Sequence, residues 1–297
     1  MKFAGFIMTF EREHLLMNTI DKIFRQTMPP EKLLVVDNSC SYKTRELIST
    51  INNPLLQYYR VGYNSGPAGA AKIGLKVLAD QGYDWIYWGD DDDPPIFNDT
   101  FEILLNLAKE NSECGCVGAV GQYFNRKKGV IVRVPDEILN TKGFLKVHTI
   151  AGGMTKIVNG AVLRNCQIYP DEKLFFGFEE LDFDLKLQKL NYTLLTDKAL
   201  YLRHRKTSGR INFKRNLLPK KKNVNIGREY YSTRNLYKIY WNHHLYLALL
   251  YNIFKNSLKL FWALRFGYKY GYNISRIHLL AFSHFLMNKY GYYKLNK

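Results

Sequence analysis

The chain has 297 residues, of which 46% are hydrophobic and 23% are charged, a composition that can bury one large core and a smaller appended unit. The four cysteines form no Cys-x-x-Cys pair, so their spacing supports neither a zinc site nor a disulfide framework. The N-terminal apolar run is interrupted too early for a signal peptide, and no stretch reaches the ~18 apolar residues of a spanning helix. We therefore expect a globular protein of the reducing cytoplasm.

Charge is distributed unevenly along the chain. Residues 1–200 carry 23 Lys and Arg against 25 Asp and Glu, whereas residues 201–297 carry 20 against 1. The same final third holds 21 of the 44 aromatic residues. Interleaved basic and aromatic side chains suit a phosphate-rich polymer or an anionic membrane surface. Composition alone leaves nucleic acid and membrane open as partners.

The first ninety residues alternate between short apolar runs and segments with helical spacing. The predicted elements are strands at 3–10, 32–36, 56–60 and 84–88, with helices between them at 15–24, 44–50 and 68–81. This alternation predicts a parallel sheet flanked by helices, with ligands bound at the carboxyl ends of the strands. Asp37, Asn64 and the aspartates from Asp90 onward all follow such strand ends.

Four consecutive aspartates, Asp90–Asp93, follow the apolar run Trp85–Trp88. Neighbouring carboxylates repel one another and are expensive to desolvate, so this cluster favours a bound cation. Oxygen ligands without a nearby Cys or His pair indicate Mg²⁺ or Mn²⁺, ions that are often held by one or two carboxylates and a substrate phosphate. The alternative interpretation is a solvated acidic turn.

A loop of small residues, Gly62–Ala71, runs into the third predicted helix. Its glycines would let the backbone approach a ligand closely, and the start of the helix offers free N–H groups to an anion. The loop matches neither a P-loop nor a dinucleotide fingerprint. It is equally compatible with a plain turn before a helix.

A second acidic cluster follows Gly177 and comprises Glu179, Glu180, Asp182 and Asp184. The spacing from Glu180 onward is helical, and acidic residues in a first turn are favoured by the helix dipole. They could therefore be purely structural. They could also supply a carboxylate that takes a proton from an attacking hydroxyl.

After about residue 210 the chain becomes basic. Residues 210–225, centred on Lys220–Lys222, are predicted to form an exposed loop. Two or three amphipathic helices are predicted beyond it from the spacing of Leu236, Ile239, Tyr240, Leu258, Phe261, Trp262 and Leu264. Their apolar faces could pack on the sheet, and their basic side could dock on a membrane.

Taken in order, these motifs resemble the inverting glycosyltransferases of family 2, and within that family the bacterial galactofuranosyl- and rhamnosyltransferase-like members. The resemblance covers about residues 1–210. It rests on Thr9, Asp37, Asn64–Gly66, Asp90–Asp92, Gly177–Phe183 and His204. It implies a GT-A fold, a Rossmann-like and mostly parallel α/β sheet flanked by helices, in a catalytic domain at 1–210. A basic, aromatic-rich helical region would follow at 211–297, where Arg234–Asn235 resembles a recurring element of the rhamnosyltransferase-like members.

The resemblance also implies roles for single residues. Thr9, Arg12 and Asp37 would contact the uracil and ribose, and Asn64 and Gly66 would close on the nucleotide. Asp90, Asp91 and Asp92 would form the family's D-x-D, with Asp90 near the ribose or sugar and Asp92 on the metal, although the extra Asp93 allows a register shifted by one. His204 would join Asp90 and Asp92 as a ligand of Mn²⁺ or Mg²⁺. Glu180 would be the catalytic base, with Glu179 and Asp182 as alternatives.

The implied partners are a nucleotide-sugar donor, a glycan or lipid-diphosphate-linked acceptor and an anionic membrane surface. UDP-hexose or UDP-galactofuranose is favoured as donor, and dTDP-rhamnose is the alternative. A nucleotidyltransferase would more often show a glycine-rich loop after the first strand, but residues 9–12 contain no glycine. A nucleic-acid-binding protein would leave the acidic clusters unexplained, so we expect no nucleic acid. Peripheral attachment to the inner face of the plasma membrane is expected.

Overall fold

The first strand, β1 (Phe3–Thr9), is buried along its whole length, which is why its sequence is apolar on both faces. Phe3 and Ile7 belong to one hydrophobic cluster, whereas Ala4 and Phe6 belong to another. Because successive side chains of a strand point to opposite faces, the two clusters lie on the two sides of the sheet. The structure is a computed structural model that describes residues 1–211 and 225–295.

The described residues form an eight-stranded sheet and a separate hairpin. The remaining strands are β2 (Leu33–Asp37), β3 (Leu56–Arg60), β4 (Trp85–Asp90), β5 (Cys114–Gly118), β6 (Tyr123–Asn125), β7 (Val130–Val132), β8 (Phe144–Val147), β9 (Lys156–Asn159) and β10 (Thr193–Asp197). The order in the sheet is β3-β2-β1-β4-β9-β5-β10-β8, and β6 pairs with β7. Strands β3, β2, β1 and β4 run parallel to one another. Strand β9 is antiparallel to both β4 and β5, and β8 is antiparallel to β10.

Helices alternate with the strands along residues 1–211. They are α1 (Glu13–Phe24), α2 (Lys43–Ser49), α3 (Gly66–Asp80), α4 (Thr100–Lys109), α5 (Asp136–Leu139), α6 (Gly160–Cys166), α7 (Glu179–Lys189) and α8 (Lys198–Thr207). Short 3₁₀ turns lie at Gly152–Met154 and Glu172–Leu174. The predicted alternation over the first ninety residues, and the mostly parallel sheet flanked by helices, are confirmed.

The predicted C-terminal helical region is also confirmed. It contains α9 (Ile226–Asn242), α10 (Tyr246–Leu264) and α11 (Tyr268–Leu286). Helices α9 and α10 contact the turn of the hairpin formed by β6 and β7, where the Tyr240 hydroxyl donates to the Gly129 carbonyl at 2.6 Å and the Asn252 amide donates to the Lys128 carbonyl at 2.9 Å. The helical region is therefore joined to this hairpin through α9 and α10.

Two further expectations concern this part of the chain. The first is the exposed loop predicted at 210–225, whose centre at Lys220–Lys222 lies outside the described residues. The division at residue 210 into a catalytic domain and a helical region stays a prediction. Among the helices of the described residues, none is both long enough and apolar enough to cross a membrane.

Candidate active site

Three strand ends meet at one edge of the sheet. Thr9, the last residue of β1, pairs with Asp37, the last residue of β2. Strand β4 lies on the other side of β1, and its last residue, Asp90, pairs with Met8. Thr9 and Asp37 are buried, and Asp90 is half-buried. The parallel register thus brings three of the predicted site residues to the same edge.

The Asp37 carboxylate is already held by protein donors. Its Oδ2 accepts the Tyr58 hydroxyl at 2.7 Å, and its Oδ1 accepts the Ser39 backbone N–H at 2.8 Å. Burial, together with the hydrogen bond to Asp37, raises the pKa of Tyr58. Asp37 therefore shapes the turn after β2, and its carboxylate is buried.

Arg12, in the loop after β1, joins that loop to the aspartate cluster. Its Nη2 lies 2.5 Å from Asp91 Oδ1, and its Nη1 lies 2.5 Å from Asp92 Oδ2. Asp91 is buried, whereas Arg12 and Asp92 are partly exposed. A guanidinium between two carboxylates offsets their repulsion, so the predicted nucleotide-contacting loop and the predicted D-x-D form one charged unit.

Asp90 and Glu180 face the same backbone segment. The Gly152 N–H donates to Glu180 Oε1 at 3.1 Å. A Cβ at residue 152 would lie 3.0 Å from Glu180 Oε1 and 3.8 Å from Asp90 Oδ2, so glycine leaves the space between the two carboxylates open. Burial, followed by the negative charges of Glu180 and of the other aspartates, raises the pKa of Asp90 to about 7. The structure therefore places the preferred base beside the first aspartate of the cluster.

The other two candidates for the base lie in different surroundings. Burial and the adjacent Glu180 charge raise the pKa of Glu179 well above its usual range, which favours the protonated form. Asp182 is 2.6 Å from Lys186 Nζ and 2.9 Å from His243 Nε2. Burial raises the pKa of Asp182, but the His243 hydrogen bond and the Lys186 charge together lower it below its usual value. Asp182 is therefore committed to an ion pair with Lys186 and to a contact with His243, the residue that follows α9.

The turn that presents Glu180 has an uncommon backbone. Phe175, Gly177 and Phe178 adopt φ angles of 61°, 86° and 68°, and left-handed conformations at bulky residues persist only where the surroundings hold them. The buried Asn235 amide supplies that restraint, because its two N–H groups are shared among three carbonyl oxygens of residues 174–177, at 2.8 to 3.0 Å from the nitrogen. Helix α9 thereby fixes the start of α7.

Replacing Asn235 by Asp should test this restraint, because Asp keeps the size of the side chain but has no donor for the three carbonyls. We expect Asn235→Asp to lower turnover by about 10²-fold while donor affinity changes little, since the base would be displaced rather than removed. Steady-state kinetics and donor titration would measure the two effects. Asn256→Asp is the matched control, because the Asn256 amide donates to the Tyr237 hydroxyl on a neighbouring helix. Equal kcat values for the two variants would contradict the assignment.

The predicted nucleotide loop is fixed between β2 and the same turn. Asn64 Oδ1 accepts the Gly66 N–H at 3.0 Å, and the Gly66 carbonyl accepts the Asn38 amide at 3.1 Å. Gly66 has a φ of 70°, and a Cβ there would lie 2.2 Å from the Phe175 carbonyl oxygen. Only glycine fits this position, so Gly66 lets the loop approach the turn that precedes α7.

The predicted metal ligands have suitable chemistry. His204 is buried, and that burial, followed by the charge of Arg203, lowers its pKa to about 4, so the imidazole is neutral at pH 7. Its Nε2 is without a hydrogen-bond partner among the described residues. A neutral imidazole and exposed carboxylate oxygens are acceptable ligands for Mn²⁺. Within residues 1–211 and 225–295, however, no three His, Cys, Asp or Glu side chains are grouped as a metal site requires, so the set Asp90, Asp92 and His204 stays a prediction.

A buried ion pair behind the site was not predicted. Lys156 Nζ, on β9, lies 2.5 Å from Asp184 Oδ1, on α7, and both side chains are fully buried. Asp184 Oδ2 also accepts the Ile150 N–H at 2.8 Å, and Lys156 donates to the Ile150 carbonyl at 3.0 Å. The pair thus ties α7 to the segment that carries Gly152. The one signal in the sequence was the position of Asp184 on the apolar side of its helix.

Comparison with known proteins agrees with this arrangement. The profile described as glycosyl transferase family 2 matches residues 6–166. A galactofuranosyltransferase of Mycolicibacterium smegmatis is 27% identical over 192 residues, which are 61% of this chain and 63% of that protein. A galactofuranosyltransferase of Mycobacterium tuberculosis is 26% identical over 195 residues, with 61% and 62% covered. The match therefore spans less than two thirds of the length of these relatives.

Two solved structures share the fold over almost the whole chain. One is mannosyltransferase PcManGT from Pyrobaculum calidifontis, in complex with GDP-Man and Mn²⁺, with a TM-score of 0.57 at 14% identity. The superposition covers 97% of this chain and 88% of the mannosyltransferase chain. TarS of S. aureus, in complex with UDP-GlcNAc, has a TM-score of 0.56 at 18% identity and covers 97% and 82%. Family membership sets aside the nucleotidyltransferase and nucleic-acid-binding alternatives. With more than half of the chain matching the profile, this protein belongs to glycosyl transferase family 2.

Proposed function

We propose that this glycosyltransferase moves a sugar from a nucleotide-sugar donor to an acceptor hydroxyl with inversion at the anomeric carbon. The observation that carries the proposal is the position of Glu180 beside Asp90, on either side of the open space at Gly152. Asp90 lies at the end of β4, at the edge of the sheet where donors are expected, and Glu180 lies in the first turn of α7. Inversion in a single displacement requires a base on the side of the sugar opposite the leaving group.

Glu180 is the base in this proposal. It would accept the proton of the acceptor hydroxyl as the hydroxyl oxygen attacks C1 and the bond to the nucleotide diphosphate breaks. Glu179 is disfavoured because its raised pKa keeps the proton on the carboxyl group, and Asp182 is disfavoured because Lys186 and His243 already occupy it. The Gly152 N–H holds one oxygen of Glu180 and leaves the other for the substrate.

The nucleotide would bind across the strand ends. Arg12 and Thr9 lie at the end of β1, the turn shaped by Asp37 follows β2, and the Asn64–Gly66 loop opens α3. Asp91 would act through Arg12, because its carboxylate is buried and paired with that guanidinium. The role of these residues is to orient the base and ribose so that the sugar reaches Glu180.

The chemistry of the predicted ligands suits a divalent metal, and in this proposal Asp92, Asp90 and His204 would hold it. When bound, Mn²⁺ or Mg²⁺ stabilises the negative charge that develops on the departing diphosphate. In the protein itself Arg12 is ion-paired with Asp92, and burial keeps the His204 imidazole neutral.

The donor and acceptor are inferred from the relatives. A UDP-hexose or UDP-galactofuranose is favoured because two relatives are galactofuranosyltransferases, and dTDP-rhamnose is the alternative. The acceptor would be a growing surface glycan, such as a capsule or O-antigen, or a lipid-diphosphate-linked sugar. In this proposal residues 1–210 carry the chemistry, and residues 211–297 bring the enzyme to the inner face of the plasma membrane.

A donor panel with metal removal tests the proposed function. With Mn²⁺ present, one UDP-sugar or dTDP-sugar should raise the melting temperature and be slowly hydrolysed, because a ligand that binds the native state stabilises it by mass action. EDTA should abolish both effects, and added Mn²⁺ or Mg²⁺ should restore them. Asp92→Asn should behave as the EDTA-treated protein does, whereas Asp80→Asn, at the exposed end of α3, should behave as wild type. Donor binding that is unchanged by EDTA would contradict the metal requirement.

A further inference from the structure

Helix α10 carries a row of large apolar side chains that face away from the rest of the protein. Leu247, Leu250, Phe254, Leu258 and Phe261 are each between 53% and 76% exposed. Their spacing of three or four residues places them on one side of the helix, along about 20 Å at 1.5 Å per residue. A continuous apolar row of this length on a surface indicates an interaction site.

Helix α11 continues the same kind of surface. Tyr268, Tyr272, Leu279 and Leu286 are between 56% and 80% exposed and also lie on one side of their helix. The two helices pack against one another and against α9. We call the exposed rows of α10 and α11 together the apolar surface.

The opposite sides of both helices are already used. Ala248, Leu249 and Asn252 of α10 are buried, as are Ile274 and Ile277 of α11. The core of the protein therefore accounts for one side of each helix, and the apolar surface needs a separate explanation.

Charge identifies the chemistry of the partner. Arg265, which follows α10, and Lys269, in the first turn of α11, are exposed, and Glu229 is the one acidic residue in the sequence from 201 to 297. That single carboxylate is ion-paired with Lys259 and lies 3.1 Å from His278 Nε2. Two copies of this surface placed face to face would bring like charges together, whereas an anionic surface would complement them.

We propose that the apolar surface is the membrane-docking face of this protein, with α10 and α11 lying in the plane of an anionic bilayer. Leu250, Phe254 and Phe261 would enter the boundary between headgroups and acyl chains, and the exposed basic side chains would contact lipid phosphates. Trp262 and Tyr268 are ring side chains of the type that prefers this boundary. The inference deepens the proposed function by naming the surface that would bring the enzyme to a lipid-linked acceptor.

Vesicle flotation with the full chain tests this proposal. Wild type should float with vesicles containing phosphatidylglycerol, float less with phosphatidylcholine vesicles, and be released by high salt. The triple variant Leu250→Ser, Phe254→Ser, Phe261→Ser should lose at least about tenfold in partitioning onto phosphatidylglycerol vesicles. The matched control is Leu55→Ser, Val132→Ser, Leu190→Ser, which replaces three apolar residues that are 41% to 42% exposed elsewhere on the surface. It should float as wild type does.

Three outcomes would overturn the proposal. Wild type could float with neither kind of vesicle, or the triple variant could float as well as wild type. In the third outcome, wild type binds no vesicles and sediments as a dimer, whereas the triple variant sediments as a monomer. The last outcome would assign the surface to a second copy of the chain. Melting temperatures of all variants show that each is folded. Vesicle binding requires no donor and no metal, so failure here leaves the transferase assignment standing, and failure of the donor panel leaves the docking surface standing.

Discussion

Glu180→Gln is expected to lower kcat by about 10²- to 10⁴-fold, the contribution usual for a general base, while leaving donor binding close to wild type. Gln keeps an oxygen in place of Glu180 Oε1 and can still accept the Gly152 N–H, so the local structure should persist. It cannot take a proton from the acceptor hydroxyl. Initial rates with saturating acceptor, together with donor titration by calorimetry, separate the two effects.

The matched variants make this prediction specific. Glu172→Gln changes an exposed glutamate that is ion-paired with Lys72 and should have near-wild-type rates. Asp182→Asn should lower the free energy of unfolding and have only a small effect on kcat, because it removes the carboxylate charge that pairs with Lys186 and contacts His243. If Glu180→Gln retains a near-full rate while Glu179→Gln does not, the base is Glu179.

Lys156→Met should destabilise the fold by about 3–5 kcal/mol, because it leaves the Asp184 carboxylate buried without its cation. Burial raises the pKa of Asp184 to about 6, which is still below neutrality. Burial lowers the pKa of Lys156, but the charge and hydrogen bond of Asp184, together with the nearby Cys116 and Glu180, more than offset this and raise it. Both groups are therefore charged at pH 7. Urea denaturation at pH 7 measures the free energy of unfolding of each variant.

An exposed ion pair supplies the control for Lys156. Lys76 and Asp80 on α3 are 2.9 Å apart and about half exposed, so Lys76→Met should leave the free energy of unfolding close to that of wild type. The double variant Lys156→Met, Asp184→Leu should recover much of the stability lost in Lys156→Met, because no unpaired charge remains. A loss below about 1 kcal/mol in Lys156→Met would contradict the role assigned to the pair.

The strand ends could be predicted from the sequence because each is a local pattern. An apolar run followed by a polar residue predicts both the strand and the side chain at its carboxyl end, and parallel pairing then places Thr9, Asp37 and Asp90 side by side. The family resemblance added Glu180 to this set. What it could not supply was the contact between Glu180 and Gly152, which joins residues 28 positions apart.

Long-range polar pairs were not predictable for the same reason. The contacts Arg12–Asp92, Lys156–Asp184 and Asn235 to residues 174–177 each join segments that no periodic pattern links. Such pairs depend on which loops the fold brings together. Their consequence is that α7, which carries the proposed base, is held at its middle by a residue of β9 and at the turn before it by a residue of α9.

Helical periodicity identified α10 but not the direction of its apolar face. The spacing of Leu258, Phe261 and Trp262 is the one expected of a helix packed on a core, yet all three are exposed. The packed side is formed instead by Ala248, Leu249, Asn252 and Ala263. An amphipathic pattern gives the separation of two faces, and only the fold shows which of them is covered.

Crystals grown with Mn²⁺ and the donor selected by the panel would test the central claim most directly. Anomalous diffraction should place Mn²⁺ on a carboxylate oxygen of Asp92, in contact with the donor diphosphate, with Glu180 on the opposite side of the sugar ring. A donor bound with its diphosphate away from Asp90–Asp93, or a manganese peak elsewhere in the protein, would contradict the account.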